Sequence, residues 1–199
     1  GTISEEYFLN PVTMYGCNKL YCEHLGTYYS RHYQRLGAEE HHCYIDFRAL
    51  RFPGIISSNT IPTGGTSDYI PEMLHAIAKG ETYKCFVREY AQIPFITMPD
   101  AVQAIQDFMA APMESLKQTV YNIRAFAPTA EEFRQKILDI FPQAKIEYDI
   151  NEKRQNMVDS WPSDTDDSAA SSDWNWKPKY NLETGMKEYL IPNVKKKYL

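Results

Sequence analysis

The stretch PVTMYGCNKLYCE, Pro11 to Glu23, sets a tyrosine and a lysine four residues apart, Tyr15 and Lys19, at the head of a long helical pattern. Pro11 suits a first helical turn, where a missing N–H costs nothing. From Val12 the pattern predicts a helix to about Leu36, ended by Gly37. Residues four apart share one helix face, so Lys19 reaches the region of the Tyr15 hydroxyl. A nearby ammonium favours phenolate over phenol and draws a tyrosine down from its ordinary value near 10. Such a phenol is a usable general base, and the remaining ammonium donors suit the sugar hydroxyls of a cofactor. In a chain with 15 tyrosines the pair alone fits an ordinary helix face equally well. Its neighbours sharpen the reading. Gly16 admits a close backbone, Cys17 keeps the face uncrowded, and a glycine-bearing loop follows the next strand.

Working outward, 199 residues can bury one good core or two small ones. Hydrophobic residues at 43% and charged residues at 24% are ordinary for a globular chain. A net charge of −5 gives no basic footprint, so nucleic acid is not an expected partner. No apolar run approaches the roughly 20 residues that span a bilayer, so no membrane role is expected. The first residues, GTISEEYFLN, lack the regions of a secretory signal. Cys17, Cys22, Cys43 and Cys85 are scattered rather than framed for disulfides, which points to a reducing compartment. Cytoplasm is the default, and the mitochondrial matrix fits if a transit peptide preceded this chain.

Strands and helices alternate along the remainder, an α/β pattern. AEEHH (Ala38 to His42) reads as a connector, Cys43 to Phe52 as a buried strand, and Pro53 to Thr66 as a long loop of the kind that carries function. Asp68 to Glu81 reads as a helix stopped by Gly80, with Asp68 as a candidate cap. Tyr83 to Val87 and Ile93 to Met98 read as strands. The next helix is expected to turn Ala101, Ile105, Phe108 and Met109 to one side. After the strand TVYNI, Thr129 and Glu132 form a capping box opening a helix to Phe141, and KIEYDI is a further strand. SDTDDSAASSDWNW reads as a polar loop, Asn181 to Val194 as a last helix cut by Pro192, and KKKYL as a frayed tail.

YGCNK looks like the Tyr-x-x-x-Lys motif of the extended short-chain dehydrogenase/reductases, relatives of sugar-nucleotide epimerases. DFRALRFPGIIS (Asp46–Ser57), PTGGTSDY (Pro62–Tyr69), YNI (Tyr121–Ile123), KRQNMVDSWP (Lys153–Pro162) and DDSAASSDWNW (Asp166–Trp176) narrow it. In this order they resemble the L-threonine 3-dehydrogenase branch. The resemblance implies the C-terminal part of a doubly wound, Rossmann-like sheet with a small α/β substrate-binding lobe. Residues 1–52 would carry the Tyr-x-x-x-Lys helix and the following sheet strand. Residues 53–199 would be mainly substrate lobe, interleaved with sheet strands. It further implies oxidation of L-threonine to 2-amino-3-oxobutyrate with NAD. Tyr15 would take the β-hydroxyl proton, and Lys19 would hold the nicotinamide ribose. Backbone after Pro53, at Gly54, Ile55 and Ile56, would meet the nicotinamide amide. Gly65 and Thr66 would hold the amino-acid end, their backbone N–H groups suiting a carboxylate. Trp161 would close over the substrate and exclude water. The family also implies a homodimer through the Val12–Leu36 helix, whose Leu20, Tyr21, Leu25, Tyr28 and Tyr29 suit an interface.

The family's first sheet strands, its glycine-rich phosphate turn, its ribose-binding acid and its upstream catalytic Ser or Thr are not found here. The glycines before residue 54 are Gly1, Gly16, Gly26 and Gly37, and none forms G-x-G-x-x-G. The chain therefore reads as the C-terminal portion of a longer enzyme, inactive or poorly active alone. The connector before the Cys43 strand is longer than usual, Ser67 stands where a second Thr is common, and the stretch SAASSDWNW carries no arginine ahead of its tryptophans. On residue chemistry alone, Gly64 and Gly65 serve a turn equally well, the tryptophans plug a core, and Arg51 forms a structural ion pair. Cys17, Cys22 and His24, or His41, His42 and Cys43, lack the pairing of structural zinc, so no metal is expected. A non-catalytic dimerisation module and a sugar-nucleotide epimerase or dehydratase are the alternative functions.

Overall fold

The computed structural model describes residues 1–7, 9–37 and 45–199. The connector at 38–42, the start of the expected strand at 43–44, and the His41, His42 and Cys43 group fall outside the described residues. Strand β1 (Thr2–Ile3) opens the chain and is followed by helix α1 (Met14–Thr27). The helix begins later than the sequence suggests because Thr13 caps it. Thr13 is extended, and its Oγ1 accepts the Gly16 N–H at 3.1 Å, which leaves Pro11 outside the first turn. A π-helical turn, Tyr28–His32, replaces the expected α-helical end. Gln34, at φ +52°, then takes the chain out of helical geometry before Gly37.

Strands β2 (Ala49–Arg51) and β3 (Gly54–Ile56) follow, the latter inside the segment expected to be loop. Next come α2 (Tyr69–Ala78), β4 (Tyr83–Cys85), β5 (Phe95–Thr97) and α3 (Met98–Ala110). Then come β6 (Val120–Asn122), α4 (Ala130–Ile140), β7 (Ile146–Tyr148) and α5 (Glu152–Asp159). The chain ends through β8 (Asp164–Thr165), α6 (Ser168–Trp174), α7 (Leu182–Thr184), a π-helical turn (Gly185–Leu190) and α8 (Ile191–Tyr198). The supposed polar loop before the tryptophans is thus a strand and a helix. Pro192 does not cut the last helix; it sits at the start of α8, where proline is tolerated.

Among the described residues the four strand pairs are all parallel: β1 with β8, β2 with β6, β3 with β5 and β4 with β7. Parallel pairing joins segments far apart in sequence, and helices cross between them. This is an α/β fold of the Rossmann-like kind.

Among the described residues two clusters form the core. The larger packs α2, α4 and α8 through Ile70, Leu74, Phe133, Ile137 and Val194. The other stacks Phe108, Tyr121, Trp174 and Trp176, with Phe108 and Trp174 centroids 5.0 Å apart. Trp174 and Trp176 are core residues. On α3 the buried stripe is Asp100, Ala101, Ala104 and Phe108. Ile105 (44% exposed) and Met109 (73%) lie one position further round and face out, contrary to the sequence expectation. The C-terminal tail is docked, not frayed: the Tyr198 hydroxyl lies 2.9 Å from His75 Nδ1. No helix among the described residues is long and apolar enough to cross a membrane.

Candidate active site

A cleft of about 690 Å³ opens where α1, β2 and the approach to β8 come together. From α1 it takes Tyr15, Gly16 and Lys19, from the turn between β2 and β3 it takes Phe52 and Pro53, and from the start of β3 it takes Gly54. Ser67 lines it ahead of α2, and Trp161, Pro162 and Thr165 line it after α5. Helical spacing puts Tyr15 and Lys19 on one face of α1. The Lys19 ammonium stands over the Tyr15 ring, 5.4 Å from its centroid. Tyr15 is 73% exposed. A Cβ at Gly16 would lie 2.8 Å from Pro11 Cβ, so the glycine makes room for the proline side chain that leads into α1 rather than for another backbone.

Tyr15, Lys19, Pro53, Gly54 and Trp161 therefore line one cleft. Ile55 and Ile56 do not. They lie in β3 opposite Ile96 and Thr97, and Ile56 is fully buried in the core. The Gly54 N–H donates to the Pro94 carbonyl at 3.0 Å, so the start of β3 is held by its neighbour. Gly65 and Thr66 sit beside the cleft in sequence but are not among its lining residues; Ser67 is. The Gly65 N–H donates to Asp68 Oδ2 at 2.8 Å. Asp68 stands at the N-cap of α2 without making a side-chain cap bond, because its carboxylate is turned back to this turn. Trp161 is 37% exposed at the rim, unlike the two buried tryptophans.

Arg51 forms the structural ion pair read for it, but sequence reasoning missed its partner and other groups in the wall. Glu23, one turn beyond Lys19 on the same face, takes Arg51 in a two-pronged ion pair at 2.9 and 2.7 Å. The third arm of Arg51 donates to the Glu5 carbonyl at 2.9 Å. The Glu5 carboxylate in turn accepts the Asn122 N–H at 2.9 Å. The spacing 15, 19, 23 was the available signal for Glu23. Thr165 lines the cleft with a buried hydroxyl that makes no hydrogen bond among the described residues. Its carbonyl is held by Arg124 Nε at 3.1 Å, and β1 pairs along its strand. Nothing local marked it, because its strand exists only by pairing with the chain's first residues. Just past this wall the Asp166 carboxyl is held below the usual range by the Ser168 amide and hydroxyl, whereas burial pushes Asp167 up. Among the described residues no three His, Cys, Asp or Glu side chains gather as a metal cluster.

Residues 1–123 match the family described as NAD dependent epimerase/dehydratase family. The chain is 38% identical over 172 residues to a mitochondrial L-threonine 3-dehydrogenase of Bos taurus, covering 86% of this chain and 43% of that protein. It superimposes on the crystal structure of L-threonine dehydrogenase from Phytophthora infestans with a TM-score of 0.82 at 36% identity, covering 92% of this chain and 57% of that one. The L-threonine dehydrogenase of Clostridium difficile gives a TM-score of 0.87 at 34% identity, covering 98% and 58%. The chain thus spans about half the length of the relatives it matches. It belongs to the NAD-dependent epimerase/dehydratase family.

Proposed function

We propose that this chain is the substrate-side portion of an enzyme that oxidises L-threonine to 2-amino-3-oxobutyrate with NAD. The observation that carries the reading is that Tyr15, Lys19, Pro53, Gly54 and Trp161, drawn from three distant segments, line one cleft. Similarity to threonine dehydrogenases along most of the chain supports the choice of substrate.

The residues present fit the nicotinamide end of NAD. The Lys19 ammonium has no ion-pair partner among the described residues, the Thr165 hydroxyl is unsatisfied, and Pro53 and Gly54 offer a narrow wall. The chain's nine glycines include no G-x-G-x-x-G turn, so we assign the pyrophosphate and adenosine contacts to the part of its relatives that this chain does not span. NAD, when bound, accepts the hydride from the threonine β-carbon.

The chain's own residues do the rest. The Tyr15 oxygen accepts the β-hydroxyl proton, Lys19 donates to the ribose hydroxyls, and the Gly65–Thr66 turn holds the amino-acid end, through Thr66 while the Gly65 N–H stays on Asp68. Trp161, swinging over the cleft from the end of α5, excludes water. A homodimer through the Val12–Leu36 segment belongs to the same reading, since α1 buries none of its residues and exposes Tyr21 and Leu25, while the π-helical turn after it exposes Tyr28 and Tyr29.

Ligand-dependent melting tests the substrate class, because a ligand that binds only the folded protein raises its melting temperature. With the NAD-binding portion joined to the chain, L-threonine plus NAD should raise it beyond NAD alone, and a UDP-sugar should not. The reverse pattern would make the protein a sugar-nucleotide enzyme.

A further inference from the structure

One arginine outside the cleft ties together two of the segments assigned to the substrate. Arg154 Nη2, from α5, donates to the Gly65 carbonyl at 2.6 Å and to the Gly64 carbonyl at 3.3 Å. Its guanidinium carbon stacks on Phe86, 3.1 Å from the ring centroid. Glu72 stands 3.9 Å from the same nitrogen, and the other Glu72 oxygen accepts the Tyr83 hydroxyl at 2.9 Å. Gly64 has φ +91° and no atom within 4 Å of where a Cβ would be. A glycine in open space with that freedom must be restrained by its neighbours. Asp68 holds the turn by the Gly65 N–H, and Arg154 holds it by the two carbonyls.

The helix bearing Arg154 is itself fixed. The Asn151 N–H donates to the Phe86 carbonyl at 2.9 Å, and the fully buried Gln155 accepts the Arg88 N–H at 2.7 Å. The same helix runs into Trp161, whose N–H donates to the Val158 carbonyl at 3.0 Å. The Gly64–Gly65 turn and the cleft-lining tryptophan are therefore mounted on one short, well-anchored helix.

We propose that Arg154 is a positioning residue, which sets the Gly64–Gly65–Thr66 turn against the Trp161 helix so that the amino-acid end of the substrate meets a preformed backbone. This rests on the threonine-dehydrogenase reading. A preformed loop favours binding by removing the cost of ordering it. It leaves the chemistry largely untouched, because Tyr15 and Lys19 stand on α1, a separate element. Lysine is a poor substitute: its ammonium does not stack flat on Phe86, so the nitrogen that reaches both carbonyls loses that support.

The test uses Arg154→Lys and Arg154→Gln, by amide hydrogen exchange on this chain and by kinetics on the chain joined to an NAD-binding portion. Exchange at the Gly65 amide should quicken about tenfold while Ile70 and Leu74, in α2, keep their protection. The KM for L-threonine should rise about tenfold, with kcat and the KM for NAD within about twofold of wild type. An unchanged threonine KM overturns the proposal. So does a joint rise in both KM values with faster exchange at Ile70 and Leu74, which is what a merely structural arginine gives. A wild-type protein that oxidises no threonine overturns the functional reading instead, and with it the substrate role. The Gly65 amide then decides alone whether Arg154 clamps the turn.

Discussion

The Lys19 ammonium lies over the face of the Tyr15 ring, 5.4 Å from its centroid, and makes no hydrogen bond to the Tyr15 hydroxyl. Its donors are thus left for another partner in the cleft, which is the role assigned to it on the ribose. Replacing Lys19 by Met should lower kcat/KM for NAD about ten- to hundredfold, the worth of one or two charge-assisted hydrogen bonds. The loss should fall chiefly on the KM for NAD. Steady-state kinetics with each substrate varied in turn checks this.

Beneath the pair, Glu23 and Arg51 lock α1 to β2. The two side chains are mostly shielded from water. Glu23→Ala leaves the Arg51 guanidinium with the Glu5 carbonyl as its remaining partner and should cost about 2 kcal/mol of stability. Urea unfolding should show a lower midpoint with an unchanged slope.

His75 gives the fold a pH dependence. Its Nε2 lies 3.0 Å from the Ser57 carbonyl, which only accepts, so Nε2 carries the proton and Nδ1 accepts from the Tyr198 hydroxyl. Burial holds the pKa of His75 below its ordinary 6.5, and the charges of Lys197 and Lys79 push the same way. As pH falls below 6.5 the unfolded chain takes up a proton that the folded chain refuses, so this group's stability contribution is flat above that value and declines below it. His75→Gln should flatten the decline in a melting-temperature series. Tyr198→Phe should cost about 1 kcal/mol by removing the hydroxyl bond.

The tryptophan pair supplies a packing prediction. Trp174 lies against Phe108, Tyr121 and Trp176. Trp174→Ala should cost about 3–5 kcal/mol, read by urea unfolding. Trp161→Ala, at the rim, should leave the midpoint nearly unchanged while slowing turnover.

The elements legible in the sequence are those whose causes are local. Thr129 and Glu132 close a capping box three residues apart, and the structure has it on both sides. Gly80, at φ +78°, ends α2 where read. What escaped was set by distant partners. Strands β3 and β8 are two or three residues long and exist through pairing with β5 and β1. The last helix passes Pro192 because a π-helical turn precedes it, and the tail is ordered by a histidine 123 residues earlier. The cleft divides the same way. Tyr15 and Lys19 are legible from one helical turn, and Pro53, Gly54 and Trp161 from the motifs around them. The Glu23–Arg51 pair and the Thr165 hydroxyl needed the fold to bring them there.

The central claim is that Tyr15 is the base in an NAD-dependent oxidation of L-threonine. The most direct test follows NADH absorbance with NAD and L-threonine, using the chain joined to an NAD-binding portion, as wild type and as Tyr15→Phe. The account predicts turnover in wild type and a loss of about 10²- to 10⁴-fold in Tyr15→Phe, with the melting temperature unchanged because Tyr15 is exposed. A Tyr15→Phe protein that reduces NAD at the wild-type rate would contradict it.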